Sequence, residues 1–411
     1  MVPKLRFKEY TDKWTLSTLS EAAVQIIDGD RGANYPSSDD FSSSGYCLFL
    51  NAGNVTKDGF KFDDVAFITE EKDALLRKGK ISRGDLVLTT RGSVGNAALY
   101  NNDIYFENIR INSGMVIIRT QKKISPDFLY EYFKSNFFST WLSKVAFGSA
   151  QPQLSVKIIN ELSIYFPESS EQSRIGNFLF AVDKKIALLD KQHKLLRQYK
   201  KGMMQNIFTQ ELRFKDDSGD EFSDWEEVEL KKIASKVNTK NRDNSVSTVL
   251  TNSATQGIVS QESYFEREIV TESNLTGYYV VRVGDFVYNP RISSTAPVGP
   301  IKMNELTQGV MSPLYTVFRF EKGLLKFYQY FFESSVWHDY MKSVANSGAR
   351  HDRMNISGAD FFDLPVPHPS DEEQTKIARF LSTIDDKITT KKAELDKLKT
   401  WKQGLSQQMF V

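Results

Sequence analysis

Large or potentially core-facing residues recur at alternating spacings of about three and four from Glu171 to Phe208: Ile175, Leu179, Val182, Ile186, Leu189, His193, Leu196, Met203 and Ile207. The same run returns from Glu373 to Phe410, 202 residues later and without a slip, with Ile377, Leu381, Ile384, Ile388, Leu395, Leu398, Leu405 and Met409. This spacing is the seam of a coiled coil sustained over about five heptads. At 1.5 Å per residue each run predicts a helix roughly 57 Å long. Neither helix can bury such a stripe alone, so the two are expected to pair with each other. Ser169 or Ser170, and Ser370, are candidate N-caps. Glu171 and Asp371 to Glu373 then sit where a helix dipole favours acids.

A shorter pattern is duplicated around these helices. Leu5-Arg6-Phe7-Lys8 followed by Trp14 answers Leu212-Arg213-Phe214-Lys215 followed by Trp225. The run from Arg83-Gly84-Asp85 to Arg91 matches Val283-Gly284-Asp285 to Arg291, 200 residues on. Gly-Asp is a turn signal, and the alternating apolar residues after it predict a strand whose end delivers an arginine into a polar loop. Strands at Met115 to Arg119 and Tyr315 to Arg319 keep the offset, and Asp127 to Phe133 parallels Lys326 to Phe332 as an aromatic helix. A small polar loop in each half (147–155 and 346–355) leads to a short apolar strand that stops at Pro167 and at Pro365/Pro367. The segments from Gly29 to Phe60 and from Asn238 to Gly277 show little mutual similarity. A repeat of about 200 residues is a duplicated domain, and 411 residues exceed one ordinary core. The expected fold is α+β, with mixed α/β domains at 1–168 and 210–370 and long helices at 169–209 and 371–411.

Composition changes this picture little. The chain is 40% hydrophobic and 26% charged, with a formal net charge of +1. No apolar run approaches the 18 or more residues of a membrane span. The start, MVPKLRFKEY, lacks the apolar region of a secretory signal, and Cys47 alone makes no internal disulfide. A cytoplasmic protein without a membrane partner is expected, with Cys47 a small buried apolar residue. The charge is uneven: Glu171 to Phe208 holds eight Lys/Arg against three acids, and the segment from Asp216 to Glu227 is acidic. Such runs fit either solvated faces or, for the basic helix, a phosphate-facing one.

Enzymatic constellations are missing. No G-x-x-x-x-G-K-[ST] phosphate loop exists. His193, His338, His351 and His368 are scattered, and one cysteine assembles no zinc spacing. His193 lies on the seam, and His351 reads as a loop contact. Tyr288-Asn289-Pro290-Arg291 matches the start of the Asn-Pro-Pro-aromatic motif of amino-methyltransferases but lacks the second proline and the aromatic. It is read as a decoy.

The duplicated ensemble resembles the DNA-specificity subunits of Type I restriction-modification systems. The residues that carry the resemblance are Glu171-Gln172, Ile175, Phe178-Leu179, Asp183, Ile186, Lys200-x-Gly202 and Gln205-x-x-Phe208, repeated as Glu373-Gln374, Ile377, Phe380-Leu381, Asp385, Ile388, Lys402-x-Gly404 and Gln407-x-x-Phe410. The Leu-Arg-Phe boxes and Trp14/Trp225 suit the same family. The resemblance implies a non-catalytic subunit with two target-recognition domains, each reading one part of a bipartite double-stranded DNA sequence. Its long helices are then an antiparallel, pseudo-twofold coiled-coil spacer that helps recruit two modification subunits. Those partners carry S-adenosylmethionine and methylate adenines; restriction subunits add ATP- and Mg-dependent translocation and cleavage. No cofactor is expected in this chain. A scaffold for two protein ligands, or a self-sufficient methyltransferase or nuclease, are the competing readings.

Arginine reads guanine bidentately, and Asn or Gln reads adenine, so loop residues of these types are the candidate base readers. They are Arg31, Tyr35, Arg91, Ser93, Asn96, Gln151 and Gln153 in the first half, and Asn252, Arg291, Ser294, Arg350, Arg353 and Asn355 in the second. Lys and Arg of the same loops, with the basic helix, are expected on phosphates. Lys200 and Lys402 interrupt the two seams and Lys391 stands where the first copy has Leu189, so these helix ends are expected to be loose or to meet partner subunits. If the helices set the spacer, inserting residues in either one changes the unspecified gap of the methylated motif and leaves both half-sites as they were. Methylome sequencing of cells expressing an insertion variant measures this, and an unchanged gap contradicts it.

Overall fold

The computed structural model describes residues 1–145, 153–262, 275–346 and 352–411. The chain forms two compact units, Met1–Asp190 with Lys392–Val411, and Lys191–Lys391. Each unit therefore takes the first part of one long helix and the last part of the other. Those helices run Ser169–Phe208 and Asp371–Met409.

In unit 1 a four-stranded antiparallel sheet places Gln25–Asp28, Met115–Arg119, Leu86–Thr89 and Ala97–Leu99 side by side in that order. The Gly-Asp turn starts its central strand. Gly84 has φ +90°, which glycine adopts without the Cβ penalty. Buried Asp85 accepts from Ser82 N at 2.7 Å and receives a two-pronged Arg119 guanidinium at 2.8 and 2.7 Å. The aromatic helix Pro126–Phe133, capped by Ser125, buries Phe128, Leu129, Tyr130, Tyr132 and Phe133. Thr15–Thr18 pairs with Ser163–Phe166. A three-stranded sheet of Phe67–Ile68, Cys47–Leu50 and Ile109–Ile111 belongs to this unit's own variable part, and the Leu48–Ile109 pairing is parallel. Cys47 is buried there, and burial pushes its thiol up to about 12.

Unit 2 repeats the framework on different loops. Its sheet runs Ala234–Lys236, Thr316–Phe320, Phe286–Tyr288, Ile301–Met303. Asp285 holds Arg319 as Asp85 holds Arg119, at 2.6 and 2.9 Å. Leu325–Glu333 is the aromatic helix. Where unit 1 has its three-stranded sheet, unit 2 has two antiparallel pairs, Leu250–Ser253 with Gly257–Ser260 and Tyr279–Val281 with Gly309–Met311. The strand Ser163–Phe166 stops at Pro167 as expected, but Pro365 and Pro367 lie within Pro365–His368, which pairs with Glu226–Glu229 in a two-stranded sheet. A strand with one partner leaves its other edge unpaired, where a missing N–H costs no ladder bond.

Each unit anchors its long helix by an arginine on a buried glutamate and by a buried glutamine. Arg6 grips buried Glu171 through two contacts of 2.7 Å. Arg213 and the Trp225 indole grip buried Glu373 at 2.9 and 2.8 Å. Gln172 accepts from Ser125 N and donates to Pro167 O; Gln374 does the same with Leu324 N and Pro369 O. Ser370 Oγ accepts from Glu373 N as a cap, whereas Ser169 and Ser170 fall inside the first turn of their helix.

The seam is where its spacing places it. Within unit 1, Ile175, Leu179, Val182, Leu189, Leu395, Leu405 and Met409 are buried and Ile186 and Leu398 half-buried; within unit 2, Ile207, Ile377, Leu381 and Ile384 are buried and Leu196 and Ile388 half-buried. Phe178 meets Trp401 at 6.1 Å in unit 1, and in both units early residues of one helix face late residues of the other, so the helices pair antiparallel.

The expectation of loose ends at Lys200 and Lys402 fails, because the seam lysines meet carboxylates supplied by the domain. In unit 1 Lys402, 9% exposed, lies 2.8 Å from Glu131 of the aromatic helix and 2.6 Å from Asp183 of the first long helix. Lys134 joins them. In unit 2 Lys200 lies 2.9 Å from Glu333 and 2.8 Å from Asp385, whose Oδ2 accepts from the Tyr330 hydroxyl at 2.7 Å. Burial pushes the Asp183 carboxyl up, and the Lys134 and Lys402 ammoniums outweigh it, leaving the group below the usual carboxylate range. That contribution to stability is full above an unfolded-state value of about 3.9 and is lost as pH falls through the lower folded value. Lys402→Ala leaves Glu131, which is 1% exposed, with only the longer 3.4 Å contact to Lys134, and should cost about 3–5 kcal/mol in urea unfolding. Pairing it with Glu131→Gln recovers much of the loss. A single variant within about 1 kcal/mol of wild type contradicts this account of the cluster.

Candidate nucleic-acid interface

Three segments of unit 1 converge at the end of the central strand. Thr90 N and Oγ1 both donate to Gly114 O, at 2.8 and 2.9 Å, which pins the start of the Arg91 loop to the turn Asn112–Gly114. Arg31 reaches the same turn, donating to Ser113 O at 3.0 Å and to Asp28 at 3.2 Å. The Tyr35 hydroxyl accepts from Ser113 N at 3.3 Å while its ring packs edge-on to Phe49. Leu154 N donates to Thr90 O at 3.1 Å and so brings exposed Gln153 alongside exposed Arg91.

Arg31, Tyr35, Arg91 and Gln153 are thus gathered, with Ser93 exposed on the adjoining loop. Asn96 is turned inward: half-buried, it spends its Nδ2 on Val55 O at 3.0 Å, which braces the loop and removes it from base reading. Gln151 lies outside the described residues.

Unit 2 builds the corresponding rim from Tyr288-Asn289-Pro290-Arg291. The Asn289 amide donates to Asn252 O and accepts from Arg291 N, both at 3.0 Å, so this asparagine holds a corner. Asn252 is a correction to the candidate set. It is 3% exposed and its Nδ2 serves Val287 O at 2.7 Å and Pro300 O at 3.1 Å, so it braces the loop from within. Exposed Arg291 and half-buried Arg353 are directly opposite each other in an isolated antiparallel bridge. Exposed Ser294 sits on the turn closed by Ala296 N to Ser293 O, and Asn355 is exposed with its carbonyl accepting from Asn346 N. Arg350 and His351 lie outside the described residues.

Sequence reasoning overlooked two features. The turn Asn112–Gly114 organises the unit 1 rim through backbone atoms, which leave no residue-type signal. Its counterpart in unit 2 carries Leu314, 61% exposed, just before the strand Thr316–Phe320 that pairs with Phe286–Tyr288. The offset of 200 that links Gly114 to Leu314 was the available clue. Arg and Gln side chains on the unit 1 rim, and two Arg on the unit 2 rim, are donors suited to purine edges in a DNA groove.

Comparison with known proteins adds independent findings. The model of the Type I restriction modification DNA specificity domain matches residues 12–198 and again 222–400. The Type I restriction enzyme MjaVIII specificity subunit of Methanocaldococcus jannaschii is 24% identical over 383 residues, 88% of this chain and 84% of that one. A putative MjaX specificity subunit of the same organism is 25% identical over 363 residues, 83% of this chain and 81% of that one. The crystal structure of a Type I restriction-modification S subunit from M. genitalium superposes with a TM-score of 0.59 at 16% identity, over 100% of this chain and 99% of that one.

Bracing and reading residues separate experimentally. Asn252→Ala, which removes the buried amide donor shared by Val287 O and Pro300 O, should lower stability by about 1–3 kcal/mol in urea unfolding and leave the preferred DNA sequence unchanged. Arg91→Ala should leave the unfolding midpoint in place. The reverse pattern contradicts the assignment.

Proposed function

The chain belongs to the Type I restriction-modification DNA specificity family, whose domain it carries twice, and on that premise we propose that each unit reads one half of a bipartite duplex DNA target through the rim at the end of its central strand. The protein is a non-catalytic specificity subunit and works with the other subunits of its complex. A scaffold for two protein ligands is not favoured by this membership. The observation that carries the two-reader proposal is the contrast within the duplication. The braces Asp85–Arg119 and Asp285–Arg319 hold the same strand, and each strand delivers an arginine, Arg91 or Arg291, to the same place. The loops around those arginines differ. One framework presenting two different rims is suited to a target whose halves are unrelated in sequence.

The remaining functions are proposed for the partners: two modification subunits that bind S-adenosylmethionine and methylate adenines, and restriction subunits that use ATP and Mg. In the complex this chain chooses where they act, and its long helices set the gap between half-sites. Each arginine that grips a guanine edge contributes about 1–3 kcal/mol of discrimination. With the chain co-expressed with its modification subunit, methylome sequencing of an Arg91→Ala variant should show one half-site relaxed and the other intact. Arg291→Ala should show the converse. If either substitution relaxes both halves, or neither, one rim does not serve one half-site.

A further inference from the structure

The two rims can be compared position by position, and the comparison extends the proposed function to the bases each unit takes. Arg291 and Arg353 are bridge partners. The flanking bonds are Ile292 N to Asp352 O at 3.0 Å and Met354 N to Pro290 O at 2.8 Å. That pattern makes 291 and 353 a non-hydrogen-bonded antiparallel pair, the kind whose Cα atoms lie about 4.5 Å apart and whose side chains leave the same face. Two guanidiniums directly opposite each other repel. The Arg291 side chain is 65% exposed and that of half-buried Arg353 26% exposed. The Asp352 carboxylate lies 3.8 Å from Arg291 Nη2 and 3.8 Å from Arg353 Nε, near enough to balance charge and too far for a hydrogen bond. Among the described residues neither guanidinium donates a hydrogen bond. A fold gains nothing by holding two cations face to face with their donors unused; a ligand rich in acceptors gives them partners.

In unit 1 the bond Leu154 N to Thr90 O, 3.1 Å, is the counterpart of Met354 N to Pro290 O, 200 residues earlier. It places Arg91 and Gln153 where unit 2 has Arg291 and Arg353. Both are exposed, and among the described residues neither side chain donates a hydrogen bond.

We propose that positions 91/153 and 291/353 are equivalent two-residue base readers, that Arg91 and Gln153 take a guanine and an adenine, and that Arg291 and Arg353 take two guanines. Arginine donates two hydrogen bonds to guanine O6 and N7, and glutamine pairs with adenine N6 and N7, so the residue at 153 or 353 decides which purine is accepted at the second position. Asp352 keeps the arginine pair balanced when no DNA is bound.

The inference rests on the two-reader proposal, and the test separates the two. Random duplexes are selected for binding to the full chain assembled with its modification subunit, with wild type, Arg353→Gln and Gln153→Arg run in parallel. The expected result for Arg353→Gln is a guanine-to-adenine change at one position of one half-site, preferred by at least about fivefold, with the other half-site and the gap unchanged. Gln153→Arg should make the opposite change in the other half-site. If both variants enrich the wild-type sequence, or a folded variant complex enriches none, the pairing is overturned while the two-reader proposal stands. If the wild-type complex enriches no bipartite sequence, both are overturned.

Discussion

The structure depends on an apolar seam that no contiguous stretch of the chain can cover. Each long helix carries its stripe from end to end, and each unit's core is closed by the start of one helix and the end of the other. In unit 1, Ile175 and Leu179 share a core with Leu405, Met409 and Phe410. In unit 2, Met204, Ile207 and Phe208 share one with Ile377, Leu381 and Ile384. At about 1.5–3 kcal/mol for each fully buried side chain of this size, these residues outweigh any polar contact nearby. The polar contacts supply position: Arg6 on Glu171, Arg213 on Glu373, and the paired glutamines fix where each helix leaves its domain.

The buried lysines apply the same logic inside the seam. A cation between helices is costly unless carboxylates meet it, and the aromatic helix of each unit brings one. Unit 1 uses Glu131 with Lys134, whereas unit 2 places Tyr330 and Glu333 in the corresponding turn. The two clusters do one job with different charges, as expected of duplicated halves that have diverged. The rims follow the same rule, with a shared backbone frame and separate side chains.

Much of this was legible in the residues. The 202-residue offset located both long helices, and the Gly-Asp turns located the central strands, because periodicity and turn chemistry are local properties. What stayed hidden depends on partners far along the chain. Lys402 looked like a flaw in the seam because Glu131 and Asp183 lie more than 200 residues before it. Asn252 looked like a loop reader because nothing local shows that Val287 O and Pro300 O await its amide. Pro365 and Pro367 looked like strand breakers because the unpaired edge that tolerates them is a property of the sheet. The rim arginines stood out by residue type, but their face-to-face pairing appears only in the register.

The most direct test of two readers on one chain is a missing-nucleoside interference map of the assembled complex on its own target. The account predicts two separate clusters of nucleosides whose removal weakens binding, with a tolerant gap between them. Replacing Arg291 and Arg353 together by alanine should abolish one cluster and leave the other. A single unbroken cluster, or two clusters that fade together in that variant, would contradict it.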